Sequence, residues 1–337
     1  MVDFVYNKRI IIKPNAYELT DYVIPILFDS SNLNFVTMRP DFSDIQFTFG
    51  ETVCSHYVAN VDTLNKTALV YVKVPYISPV EFTVLNMAYY SDVIIENTSS
   101  WADTFGDKFV AIYPFYATGL PIDVGLNGHN AIDYDVVYDE TGANFVGTSY
   151  IQLPTTQTMF GDTECKYVQF VEFSTLNTAD QHILSPYGSG ASYHIGLIKV
   201  KGVEPGKLAG DVYSELGSSS IVTDYTYTDG ESHKAILVND KANSLATLHT
   251  DLESKIVSIA NTTDYTNDEN YYIGRYNDGS YFNGCVKRVI IAKDLTEIEL
   301  AQLLAPAPEV IVEVPLRTNV KTFPFTFTLE KQVRGEF

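Results

Sequence analysis

Apolar and polar residues alternate along most of this chain in short runs, and Asn, Asp, Gly, Ser and Pro interrupt them at intervals of about ten residues. Alternation with a period of two places successive side chains on opposite faces of a strand. Asp44–Phe49 shows it most cleanly, with Ile45, Phe47 and Phe49 on one face and Gln46 and Thr48 on the other. In Ala68–Val74 the core face is Val70, Val72 and Val74, and the other face is Leu69, Tyr71 and Lys73. Lys8–Lys13 and Asp21–Phe28 read as strands separated by a turn at Pro14-Asn15, and Glu81–Tyr90 as a longer run broken at Asn86. Residues 8–92 therefore hold about seven strands. Further on, Tyr167–Phe173, apolar but for Gln169 and Glu172, reads as a strand inside a sandwich. Tyr271–Ile291 reads as strand, turn, strand, with Asn277-Asp278-Gly279 supplying the positive-φ positions of a tight hairpin.

One helix interrupts the strands. Thr296 is a good N-cap and Glu299, three residues on, is its capping-box partner. Leu295 and Leu300 occupy the two positions of a hydrophobic staple, and Pro306 ends the helix. Ala305-Pro-Ala-Pro308 then reads as a short stiff linker. Beyond it Glu309–Leu316 and Val320–Leu329 read as strands. The second alternates strictly, with Phe323, Phe325, Phe327 and Leu329 on one face. Such a face left in water invites aggregation, so this arm packs on a domain of its own chain or on another subunit. Pro324 lacks an N–H for a ladder and points to an edge position.

The length of 337 residues makes two domains the default expectation. Strand-forming Tyr (24) and Phe (19) are abundant, and 45% of the residues are apolar, which favours an all-β globular chain over a disordered one. The formal charge is 22 − 42 = −20. Clustered Lys and Arg are what phosphate contacts and anionic bilayers require, so neither nucleic acid nor a membrane surface is a partner. The opening residues lack the basic and apolar regions of a Sec-type signal peptide, and no apolar run is long enough to span a bilayer.

Two sets of blocks resemble known families. Leu19-Thr-Asp-Tyr, Leu27-Phe-Asp-Ser-Ser-Asn, Ser43-Asp-Ile-Gln-Phe-Thr, Tyr71-Val-Lys-Val-Pro and Met87-Ala-Tyr-Tyr follow the order of an uncharacterised β-sandwich domain of prokaryotic and viral surface proteins. That family often stands directly before a laminin-G-like jelly roll and has no assigned catalytic residues. The blocks Asp123-Val-Gly-Leu-Asn-Gly-His-Asn-Ala, Gly147-Thr-Ser-Tyr-Ile-Gln-Leu-Pro, Asp229–Asp240 and Tyr271–Ile291 resemble such a laminin-G-like, concanavalin A-like domain, which ends in a short helix. One departure stands out: where the family usually carries Asp-Glu, this chain has Lys287-Arg288. The resemblance implies an all-β chain of two β-sandwich domains, residues 1–106 and a jelly roll at 107–305, with a C-terminal β arm at 306–337.

Candidate chemistry is sparse. Cys54, Cys165 and Cys285 are odd in number, permit one disulfide at most and show no metal-ligand spacing. His56, His129, His182, His194, His233 and His249 show no paired ligand spacing either. Glycosidases need two carboxylates flanking the scissile bond. Asp251-Leu-Glu253 offers the alternate spacing, but with the residue order reversed and no third acid, and it reads as a solvated turn. Gly188-Ser-Gly is a loop rather than a nucleophile elbow, and no phosphate loop is present. Calcium is the ion that the acidic stretches Asp133–Glu140 and Asp264–Asn270 would suit, through carboxylates and carbonyls, although solubilising charge explains them as well. Asp224-Tyr-Thr-Tyr and Tyr276–Tyr281 have the composition of sugar sites and equally of ordinary hairpins. The sequons at Asn65, Asn97 and Asn261 matter only for a secreted eukaryotic protein.

These readings converge on a non-enzymatic structural protein of a prokaryotic virus particle, in the tail adhesion apparatus or as capsid decoration. Its expected partners are other virion proteins, further copies of itself and a host surface glycan bound by the jelly roll, with no cofactor required. A secreted or cell-surface carbohydrate-binding module is the first alternative, and a polysaccharide-degrading enzyme on the same fold is the second.

Overall fold

The computed structural model describes residues 4–91, 97–125, 127–155, 158–159, 166–186, 196–214, 217–259, 270–276 and 279–313. Seven strands make the first unit: β1 (Phe4–Ile12), β2 (Leu19–Asp29), β3 (Ile45–Phe49), β4 (Thr52–Cys54), β5 (His56–Asp62), β6 (Thr67–Ile77) and β7 (Thr83–Ser91). The helical turns α1 (Trp101–Phe105) and α2 (Phe115–Thr118) flank β8 (Phe109–Tyr113). The second unit continues with β9 (Ile132–Tyr134), β10 (Val137–Asp139), β11 (Gly142–Phe145), β12 (Tyr150–Leu153), β13 (Lys166–Ser174), β14 (Gln181–Pro186) and β15 (Leu197–Val200). It is completed by β16 (Lys207–Ser214), β17 (Gly217–Thr226), β18 (His233–Asp240), β19 (Leu245–Thr250), β20 (Ser254–Ser258), β21 (Tyr271–Ile273) and β22 (Gly284–Lys293). Helix α3 (Glu297–Leu304) and β23 (Val310–Val312) follow.

The expected all-β architecture is what the chain forms. In the first sandwich a sheet of order β23-β1-β7-β3-β4 faces a sheet of order β2-β6-β5. Ile10, Ile24, Ile26, Phe28, Phe47, Val70, Val72, Leu85 and Met87 fill the space between them. The anticipated break at Asn86 does not occur. β7 runs through it, with Asn86 paired to Arg9 on one side and Thr48 on the other. A single polar residue in a strand only has to point away from the core, and both ladders continue past it.

The second sandwich stacks β10-β11-β22-β13-β18-β19-β20 against β17-β16-β15-β14-β21-β12-β9, with β8 added beside β22. Tyr167, Val171, Phe173, Leu237, Ile273 and Val289 lie in its core. The expected hairpin around Asn277-Asp278-Gly279 is corrected by this topology. Tyr276 and Gly279 do form a bridge, but β21 pairs with β12 and β14 while β22 pairs with β11, β13 and β8. β21 and β22 thus lie in different sheets. Local turn chemistry reverses the chain without choosing the partner strand.

Strand β13, apolar over Tyr167–Phe173 but for Gln169 and Glu172, is buried on both sides. Tyr167, Val171 and Phe173 face the core of the second sandwich, while Val168 and Phe170 enter a third cluster with Leu69, Tyr71, Trp101, Ile236, Ile290, Leu295 and Leu300. That cluster joins the two sandwiches. The Leu69 and Tyr71 face of β6 is thus covered by the second unit. Trp101, Phe105, Tyr57 and Tyr71 link edge-to-face and tilted across the junction, with ring centroids 4.3–6.4 Å apart.

Helix α3 starts as read from the sequence. Thr296 Oγ1 accepts from the Glu299 amide at 3.3 Å, Glu299 Oε2 accepts from the Thr296 amide at 2.7 Å, and Leu295 and Leu300 are both buried. After it the chain returns to the first sandwich. Ala305 is buried in that core, Asn15 Nδ2 donates to the Pro306 carbonyl at 2.7 Å, and β23 pairs antiparallel with β1. Phe323, Phe325, Phe327 and Leu329 lie outside the described residues.

Candidate functional site

Alternation within the seven-stranded sheet separates a core face from an outward face. In β12, Ile151 and Leu153 are buried in the core while Tyr150 and Gln152 point the other way and are half-buried. Register then gathers residues that are distant in sequence: Tyr150 lies opposite Tyr134 of β9, Gln152 opposite Tyr272 of β21, and Ser185 of β14 opposite Tyr272.

These side chains make a platform. The Tyr134 and Tyr150 rings stack at 4.3 Å and 15°, and Tyr150 meets Tyr272 edge-on at 5.6 Å. The Arg275 guanidinium sits 4.3 Å from the Tyr150 centroid and 4.8 Å from that of Tyr272, within cation–π range of both. Gly274 makes this placement feasible. Its φ is +86°, and a Cβ there would come within 2.5 Å of the Phe145 ring, so only glycine lets the chain turn out of the core between Ile273 and Arg275. Ser185 Oγ donates to the Arg275 carbonyl and holds that turn. Gln152 Nε2 donates to Asn270 Oδ1 at 3.2 Å.

The same face continues across β14, β15 and β16. The His182 ring stacks on Tyr276 at 4.6 Å and 13°. Burial, reinforced by the nearby Lys199 charge, pushes His182 down to about 4, so it is a neutral imidazole at pH 7. Lys199 Nζ pairs with Asp211 Oδ2 at 2.7 Å, with both side chains mostly covered. The platform thus offers flat aromatic faces, a planar cation, an amide and an ion pair. Tyr134 is its most open ring at 39% exposure.

The sequence-derived candidates divide. Tyr276 joins this face, and Tyr281 lies close enough to act on the Tyr150 hydroxyl. Two residues of Asp224–Tyr227 are engaged elsewhere. Tyr227 is fully buried with its hydroxyl 2.7 Å from Thr250 Oγ1, and Asp224 pairs with Lys255 at 2.7 Å. Tyr134, Tyr150, Tyr272 and Arg275 went unnoticed, although the alternation in Tyr150-Ile-Gln-Leu already marked an outward tyrosine.

The acidic candidates are occupied by structure. Asp251 accepts from His233 Nδ1 at 3.0 Å and from the Lys234 amide at 3.2 Å. Glu253 Oε1 accepts from the amides of Asp224 and Tyr225 at 2.8 and 3.0 Å. Asp133–Glu140 is two short strands joined by a turn at Asp135 (φ 59°), not an open loop. Of Asp264–Asn270, only Asn270 is described. Among the described residues no three His, Cys, Asp or Glu side chains converge as a metal site. Cys54 and Cys285 are buried free thiols, and Cys165, His194 and Gly188-Ser-Gly lie outside the described residues. No described helix is long and apolar enough to cross a membrane.

No protein-family model and no curated protein matches the sequence. Among solved structures, the chain is similar to domain 4 of AbnA, a GH43 extracellular arabinanase from Geobacillus stearothermophilus, in complex with arabinotriose (TM-score 0.46, 16% identity, 59% of this chain and 98% of that one). It is similar also to the CBM40 of the Ruminococcus gnavus IT-sialidase (TM-score 0.41, 13% identity, 52% and 99%). A third is the receptor binding domain of botulinum neurotoxin C/D mosaic serotype (TM-score 0.44, 15% identity, 58% and 50%). The chain spans about half the length of the neurotoxin domains it matches. At these scores and identities the likenesses carry no conclusion about what this chain binds.

Proposed function

We propose that this chain is a non-enzymatic glycan-binding protein of a surface assembly, and that the outward face of the seven-stranded sheet is its binding face. The observation that carries this reading is the Tyr134–Tyr150–Arg275–Tyr272 stack beside Gln152. Sugar rings present C–H faces that pack on flat aromatics and hydroxyls that pair with amides and guanidinium groups. The test is a glycan array followed by calorimetry on the best binder. Tyr150→Ala is expected to weaken that affinity by about tenfold or more, as for a central aromatic anchor, with the thermal midpoint little changed because Tyr150 is only half-buried. Glycan binding that survives Tyr150→Ala intact, or no glycan binding at all, would sink the reading. Release of reducing ends from a bound polysaccharide would replace binding by catalysis.

The finer assignment is to a prokaryotic virus particle, as tail adhesion or capsid decoration protein at the virion surface. It rests on the order of sequence blocks and on the alternating Phe323, Phe325, Phe327 and Leu329 face. It predicts that the full chain is an oligomer by light scattering and that a chain ending at Glu313, which keeps β23, is a monomer. If both are monomers, the arm is no assembly element, and a free carbohydrate-binding module becomes the better assignment.

A further inference from the structure

A cleft of about 360 Å³ opens where the sandwiches meet, between β2 and β6 of the first, β8 and β22 of the second, and helix α3. Tyr22, Phe105 and Phe109 form aromatic walls, with Tyr71 and Arg288 deeper in. It is unrelated to the platform described above, which lies on the other sheet of the jelly roll.

Two polar groups of this cleft lack partners. The Tyr71 hydroxyl and Arg288 Nε are buried and make no hydrogen bond, although the Tyr71 side chain is only 4% exposed. Native proteins leave few buried polar atoms unpaired, because each costs about 1–3 kcal/mol. Two in one cleft wall call for an acceptor, since Arg Nε–H only donates and the tyrosine hydroxyl donates as well. Arg288 Nη2 pairs with Glu172 Oε2 at 3.1 Å, and the ammonium of buried Lys234, which donates to the Leu304 and Ala305 carbonyls, draws on the same carboxylate. Asp251, the next acid, is held by His233. At the rim Glu299 is held by Lys108 at 2.8 Å. Two cations thus share the Glu172 carboxylate at the floor of the cleft, while Arg288 Nε–H keeps no acceptor of its own.

We propose that this interdomain cleft binds a small organic acid, its carboxylate toward Arg288 and Tyr71 and its ring or hydrocarbon body between Tyr22, Phe105 and Phe109. Bound there, the acid touches both sandwiches and fixes their relative position.

The test is a fluorine NMR titration of the full chain with para-fluorophenylacetate and with a trifluoromethyl cyclohexanecarboxylate. Saturable broadening of at least one is expected, with the matching carboxamide weaker by about tenfold for loss of the charge-assisted bond. Tyr71→Phe should weaken the acid by about fivefold to tenfold while holding or raising the thermal midpoint, because it deletes an unpaired buried hydroxyl. Ile298→Trp narrows the mouth from a position 69% exposed, so the fold survives while binding is lost. No saturable broadening with either acid overturns the proposal. So does equal affinity for acid and amide, or binding unchanged in both variants.

Discussion

Glu172→Ala is expected to lower the unfolding free energy by about 3–5 kcal/mol, the cost of leaving a buried charge without its partner. The pair is well covered, with the Arg288 and Glu172 side chains 13% and 16% exposed. Arg288 also lies 4.8 Å from the Phe170 ring centroid, so water cannot readily replace the carboxylate. Lys234 adds to the penalty. Burial already lowers it to about 8, and Glu172 is the first of the charges that oppose that shift. Arg288→Met in the Glu172→Ala background should recover most of the loss, because an apolar side chain of similar length needs no counter-charge. Urea unfolding of wild type, both single variants and the double variant gives the coupling energy. A loss below about 1 kcal/mol for Glu172→Ala, typical of an exposed pair, would mean that the guanidinium reaches water.

The position of Arg288 shows what the sequence could and could not convey. Lys287-Arg288 was visible as an inversion of an expected acidic pair, but nothing in a linear pattern says that residue 288 looks across a domain junction. The same holds for β6. Its valine face was legible as core, yet Leu69 and Tyr71 are buried too, by a partner that periodicity does not name. Alternation reports which residues share a face, and burial depends on what packs there. Where the determinant was local, the sequence sufficed: the capping box at Thr296 and Glu299, the staple of Leu295 and Leu300, and the two-faced burial of β13 all appear as read. Where it was pairing, it did not. The Tyr271–Ile291 segment divides between two sheets, and the platform tyrosines come from β9, β12 and β21, whose adjacency only the register reveals. Composition alone ranked Asp224–Tyr227 beside Tyr276–Tyr281, and only the latter reaches the platform, because Tyr227 was needed in the core.

Acid should unfold this protein well before its carboxylates titrate, through two buried histidines. His56, 3% exposed against Phe47 in the first sandwich, and His182, 4% exposed in the second, are both pushed from an ordinary 6.5 down to about 4, chiefly by burial. Between those values the unfolded chain takes up protons that the native chain refuses, so stability falls as pH falls from 6.5 toward 4. Each histidine contributes about 3 kcal/mol over that window. His233 works in the opposite sense. Hydrogen bonds from its ring to Asp251 and Asp229 raise it above 6.5, outweighing burial, so its contribution is complete below 6.5 and lost as pH rises through the raised value. By pH 6 that gain is saturated and cannot offset the loss on the acid side. The stability curve should therefore peak near neutral pH and fall on the acid limb with an uptake of about two protons on unfolding. His56→Gln and His182→Gln, which cannot titrate, should each remove about one proton from that slope. Chemical unfolding at a series of pH values measures it. A slope that neither variant changes would refute the assignment to these two imidazoles and place the acid sensitivity in His249, which burial also lowers, or in the carboxylates.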